Sequence, residues 1–87
     1  MTHRLKTIQP YFDNISSGAK TFEIRNNDRG FKVGDELLLM EWSPEAGYSA
    51  KAISVEVKYI TDFPNGLKDG YVVMAIAPWP LEQQRHA

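Results

Sequence analysis

The chain contains no cysteine, and only two of its 87 residues are histidines. Without cysteine it has no disulfides and no thiolate metal ligands. His3 and His86 are far apart in sequence, so we expect no metal site and no cofactor, and we expect His3 to lie at the surface. No segment is apolar over the length that a membrane-spanning helix needs. We therefore expect a cytoplasmic protein with no membrane partner.

A strong overall charge is also missing. The net charge of −1 argues against a strongly basic protein that coats nucleic acid. The charges are nevertheless unevenly placed, because residues 1–34 carry six Lys or Arg against three Asp or Glu, and the remaining residues carry four against eight. This asymmetry predicts a local basic face on an otherwise acidic domain.

Apolar periodicity predicts a single, mainly β domain over residues 1–80, followed by a flexible tail at residues 81–87. Pro10 and Gly18 bracket one short helix over residues 10–17. Short strands with frequent turns favour a small, partly closed barrel, because closure removes exposed sheet edges. We expect it to be a monomer. The predicted strands cover residues 4–8, 21–26, 36–42, 53–59 and 71–76, with a loop at 43–50.

Polar side chains are concentrated between the predicted helix and the end of the second strand. In this strand Phe22 and Ile24 alternate with Glu23 and Arg25. If Phe22 and Ile24 are buried, Glu23 and Arg25 project from the opposite face, close to Lys20. The grouping predicts a site for an anionic ligand. As exposed cations, Lys20 and Arg25 are expected to contribute to binding and not to stability.

Four further residues are candidates for contact with a ligand. Asn27 and Arg29 follow the second strand, in a segment whose composition is equally typical of a turn. Trp42 and Tyr48 flank the predicted loop at 43–50 and could stack on a base, although most aromatic side chains of a small barrel belong to its core.

The spacing of Gly18, Lys20, Glu23 and Arg25 resembles the G-x-K-x-x-E-x-R signature of ASCH domains, which belong to the PUA-like superfamily. The likeness extends over residues 3–77 and is strongest to a compact bacterial and phage branch known only as a domain of unknown function. The resemblance implies a small PUA-like β-barrel with five to six strands and one or two short helices.

The resemblance also implies a function, namely binding of RNA or a nucleotide in a cleft lined by the signature residues. One alternative is a hydrolase, either an amidohydrolase of acylated cytidine-type nucleosides or a ribonuclease, with Lys20 and Glu23 as catalytic residues. The amidohydrolase group has a threonine where this chain has Glu23. That departure favours binding over catalysis. A second alternative is an accessory phage or plasmid module that binds protein.

Overall fold

The structure, a computed structural model, describes residues 1–80. Five strands and one short helix account for most of this range, which confirms the mainly β prediction. The predicted flexible tail lies outside the described residues. The elements in chain order are β1 (Thr2–Thr7), α1 (Tyr11–Ser16), β2 (Phe22–Asn26), β3 (Glu36–Ser43), β4 (Gly47–Thr61) and β5 (Tyr71–Pro78).

All five strands form one sheet in the order β1-β3-β4-β5-β2. β1 pairs with β3 in parallel, and the other three pairings are antiparallel. The sheet curls into a half-barrel, so its two edge strands, β1 and β2, face each other across a gap. We call this gap the seam. Because β1 is parallel to β3 and each of the three remaining pairings reverses the strand direction, β1 and β2 run antiparallel across the seam.

The core fills the concave side of the curled sheet. Leu37, Leu39, Val57 and Met74 have no exposed surface, and Ile15 of α1 packs in the same cluster. Alternate residues of β1 and of the first half of β3 face inward, as the period of two requires. In β1 the inward residues include His3, which is 5% exposed, so the expectation of a surface histidine was wrong.

The hairpin between β3 and β4 is longer than the sequence predicted. β4 begins at Gly47, and Trp42 pairs with Tyr48 in the ladder, so five of the eight residues of the predicted loop are in strands. The alternation that marks β4 is interrupted near Ala50, which has a positive φ of 76°. Because the backbone changes direction there, the side chains do not alternate regularly between the two faces of the sheet. The sequence of this part of β4 therefore lacks the apolar alternation that marks a strand.

Among residues 1–80, no helix has the length and apolar character needed to cross a membrane.

Candidate functional site

The end of α1 places Lys20 beside two aromatic rings. Gly18 adopts a φ of 86°, which suits the last turn of a helix, and the backbone N–H of Lys20 then donates to the carbonyl of Asn14 at 2.9 Å. The chain is thereby folded back over the helix. The Lys20 ammonium lies 4.7 Å from the ring centre of Phe22 and 5.5 Å from that of Tyr11. Both distances are typical of cation–π contacts.

The two faces of β2 are the reverse of the sequence prediction. Glu23 is 3% exposed, whereas Phe22 and Ile24 are 42% and 47% exposed. The prediction that the apolar pair is buried was therefore wrong. The carboxylate can turn inward because two cations neutralise it there, one on each oxygen.

These two cations are Lys20 and Arg25. Lys20 Nζ donates to Glu23 Oε2 at 2.6 Å, and Arg25 Nε donates to Oε1 at 2.9 Å. Lys20 also donates to the Phe22 carbonyl. The Lys20 and Arg25 side chains are only 15% and 26% exposed. The Lys20–Glu23–Arg25 cluster is thus a partly buried ionic unit, and the expectation that either cation is dispensable for stability no longer fits.

Arginine side chains bridge the seam where backbone pairing is missing. Arg25 Nη2 donates to the carbonyl of Lys6 at 3.0 Å and to Thr7 Oγ1 at 3.3 Å. Arg29 Nη1 donates to the carbonyl of Arg4 at 2.8 Å. These contacts satisfy carbonyls at the free edge of β1 that would otherwise need water or another strand.

A cleft of about 720 Å³ follows the seam. Residues 5–8 of β1 and the adjoining turn form one wall, and residues 22–26 of β2 form the other. Its lining residues include four cations, two carboxylates and four aromatic side chains. They are Lys6, Lys20, Arg25 and Arg29; Glu23 and Asp28; and Tyr11, Phe22, Phe31 and Tyr71. The cleft is therefore net positive, although the whole chain is not.

Residues 2–76 match the model of a protein family described as a domain of unknown function, DUF3850. The chain belongs to the DUF3850 family. Over 72 residues it is also 32% identical to a protein of Escherichia phage P2 named "Uncharacterized 12.9 kDa protein in GpA 3'region". This match covers 83% of the present chain and 64% of the phage protein. Neither name states an activity, and the resemblance to ASCH domains stays a prediction.

The DUF3850 cleft brings together Lys20, Glu23, Arg25 and Arg29, four of the seven residues that the sequence singled out. Asn27 lies outside the cleft lining, and its Oδ1 accepts from the backbone N–H of Phe31 at 2.8 Å. It therefore stabilises the turn after β2, the alternative that the sequence left open.

Trp42 and Tyr48 also lie away from the cleft of the DUF3850 domain. They pair with each other on the β3–β4 hairpin, where Tyr48 is 55% exposed. Trp42 contacts one residue of the cleft lining, Lys6, whose ammonium lies 4.5 Å from the centre of the Trp42 ring.

The two aromatic residues that the sequence singled out, Trp42 and Tyr48, do not line the cleft. Phe22 was expected to be buried, yet Phe22 and Tyr11 are both more than two-fifths exposed. One signal was available: Tyr11 and Phe22 flank Lys20 across a helix end and a tight turn, so their rings lie within reach of its ammonium. Lys6 was missed as well, because only the sheet order brings β1 opposite β2.

A buried hydrogen-bonded pair of side chains also lies outside the cleft. His3 Nε2 donates to Asp35 Oδ2 at 2.8 Å, and the same oxygen accepts from the backbone N–H of Lys32. Burial raises the pKa of the Asp35 carboxyl, but these hydrogen bonds, together with the terminal ammonium of Met1, outweigh it, and the pKa falls below its ordinary value. Among residues 1–80, no group of acidic and histidine side chains has the arrangement of a metal site.

Proposed function

We propose that this DUF3850 domain binds RNA or a nucleotide in the cleft along the seam. One observation carries the proposal: a single concave site combines an excess of cations with exposed aromatic rings. Phosphate groups are bound chiefly by Lys and Arg, and unstacked bases are bound on aromatic faces. The cleft volume lies within the range of about 300–1,000 Å³ that small-ligand sites occupy.

The hydrogen bonds of the cluster indicate which ligand groups the cleft accepts. Both Glu23 oxygens already accept from cations, so Glu23 is better suited to fixing Lys20 and Arg25 than to accepting from a base amine. Arg25 Nη1, by contrast, has no hydrogen-bond partner among the described residues. The polar part of the cleft therefore offers donors, which suit phosphate or carbonyl oxygens.

The aromatic end of the cleft offers a surface for a base. Phe22 and Tyr11 are 42% and 48% exposed and lie on either side of the Lys20 ammonium. A base stacked on Phe22 would place its phosphate near Lys20. Stacking on an aromatic side chain is worth about 1–3 kcal/mol per base.

The hydrolase alternative is less well supported by the contacts of Lys20. A catalytic lysine must present a free amine at some stage. Here Nζ donates two hydrogen bonds and lies near two ring faces, all contacts that suit an ammonium ion. Release of products from labelled RNA or from an acylated cytidine, lost in a Lys20→Ala variant whose thermal melt shows that it is folded, would establish this alternative and displace simple binding.

The decisive binding test uses fluorescence anisotropy with a labelled single-stranded RNA. Phe22→Ala is expected to weaken affinity about tenfold, because a lost stack of about 1.4 kcal/mol corresponds to that factor. Tyr48→Ala removes an exposed aromatic outside the cleft and is the matched control. Thermal melts of each variant verify folding. Equal affinities for wild type and both variants, or no binding at all, would refute the proposal.

A further inference from the structure

The walls of the cleft are longer than one nucleotide requires. Residues 5–8 on one side and residues 22–26 on the other extend for about 13 and 16 Å at the usual rise of an extended strand. The cleft is thus an elongated groove bordered by two antiparallel strand edges. A ligand that uses its whole length must itself be extended.

Two arginine side chains, Arg25 and Arg29, lie one after the other along this groove. Arg25 contacts the carbonyl of Lys6, and Arg29 contacts the carbonyl of Arg4. These two carbonyls are two residues apart on one strand, about 6.6 Å. The two guanidinium groups are therefore held at a spacing comparable to that between successive phosphates of an extended single strand.

The edge of β1 adds further donors beside these guanidinium groups. In an extended strand the N–H and C=O of one residue point to the same side. Since the carbonyls of Arg4 and Lys6 face the seam, their N–H groups face it as well. Backbone N–H groups are common ligands of phosphate oxygens.

Aromatic side chains lie at both ends of the groove. Tyr11 and Phe22 lie at the Lys20 end. Tyr71 also lines the cleft and is paired with Asn26 at the opposite end of β2, next to the turn that carries Arg29. The groove thus has aromatic groups near both ends of β2 and two guanidinium groups along its length.

Building on the proposed function, we infer that the ligand is a single-stranded RNA segment of two or more nucleotides and not a free mononucleotide. Successive phosphates contact Arg25 and Arg29, and the flanking bases stack at the Tyr11–Phe22 end and at Tyr71. The seam then binds the sugar–phosphate backbone along its length. Affinity therefore depends more on the number of linked nucleotides than on the identity of the bases.

The test is calorimetric titration with uridine 5′-monophosphate and with uridylate oligomers of two, three and four nucleotides. We expect affinity to rise at least tenfold from the mononucleotide to the trimer and then to level off. Arg29→Ala is expected to remove most of this gain, and Arg29→Lys, which keeps a cation, to retain part of it. Lys51→Ala removes an exposed cation outside the cleft and is expected to behave as wild type.

The outcomes separate this inference from the proposed function. Equal affinity for the mononucleotide and the trimer, or a full gain in Arg29→Ala, would overturn the inference and leave nucleotide binding intact. No binding across the whole series would overturn both. Binding of an acidic hexapeptide as tightly as the trimer would also overturn the inference, because the seam would then be a site for strand addition by a protein partner.

Discussion

Glu23 determines what the other residues of the cleft can do. A carboxylate that is 3% exposed is costly to bury, and two cations offset this cost by occupying both of its oxygens. The same contacts restrict Lys20 and Arg25 to one arrangement. Their side chains are thus ordered before any ligand arrives, which lowers the entropic cost of binding.

Removal of the Glu23 carboxylate is expected to destabilise the fold. Glu23→Ala leaves two partly buried cations without a counter-charge, and we expect the free energy of unfolding to fall by about 3 kcal/mol, the lower end of the range for breaking a buried ion pair. Urea unfolding measures this loss, with Glu45→Ala at an exposed position as control. A loss no larger than that of the control would mean that the cluster is not a structural unit.

The identity of the cluster residues could be predicted from the sequence, but their orientation could not. The spacing of Lys20, Glu23 and Arg25 marked them as a group. Alternation along β2 fixes only that Phe22 and Ile24 share one face and Glu23 and Arg25 the other. Which face turns inward depends on the cations that contact Glu23. One of them, Lys20, lies outside β2, so the pattern of the strand alone does not reveal it.

At the scale of elements, Asp35 attaches β1 to the turn that precedes β3. Its carboxylate accepts from His3 of β1 and from the backbone of Lys32, and it is itself buried. The residue therefore joins the N-terminal strand to its parallel neighbour. Parallel pairing involves residues distant in sequence, so this attachment supports a contact that no hairpin could provide.

The depressed pKa of Asp35 predicts a pH dependence of stability. A carboxyl whose pKa is lower in the folded state contributes stability above its unfolded pKa of 3.8, and this contribution is lost as pH falls through the folded pKa. We expect the melting temperature to fall below about pH 5. Asp35→Asn should lower the melting temperature at pH 7 and flatten this acid limb. An unchanged acid limb in Asp35→Asn would assign the effect to other carboxyls.

A strand whose apolar pattern runs without interruption could be predicted closely, and one whose pattern is broken could not. β5 begins at Tyr71 as predicted, since its apolar run is uninterrupted. β4 extends six residues before the predicted start at Ile53, because Ser49, Ala50 and Lys51 break the pattern while the hairpin ladder with β3 continues. Cross-strand pairing overrides local preference there.

At the scale of the molecule, the order β1-β3-β4-β5-β2 creates the site. It places the first two strands of the chain at opposite edges of the sheet, and curling brings these edges face to face. The sequence predicted a partly closed barrel but not which strands border its opening. That depends on non-local pairings, which a period of two cannot reveal.

The open seam exposes two strand edges, and its arginines are expected to keep the protein monomeric. An uncovered edge can pair with an edge of another copy. Arg25→Met with Arg29→Met removes the bridges to the Lys6 and Arg4 carbonyls, so we expect concentration-dependent self-association in sedimentation velocity. Arg29→Met alone leaves both cations of Glu23 in place, and it should show the same self-association more weakly.

The control for this experiment is Lys51→Met with Lys68→Met. It makes the same change of charge and apolar surface at two exposed positions outside the cleft. If self-association came only from lost charge or added methionine, the control would associate equally. Association specific to the arginine variants would instead show that these side chains protect the strand edges of the seam from pairing with another copy.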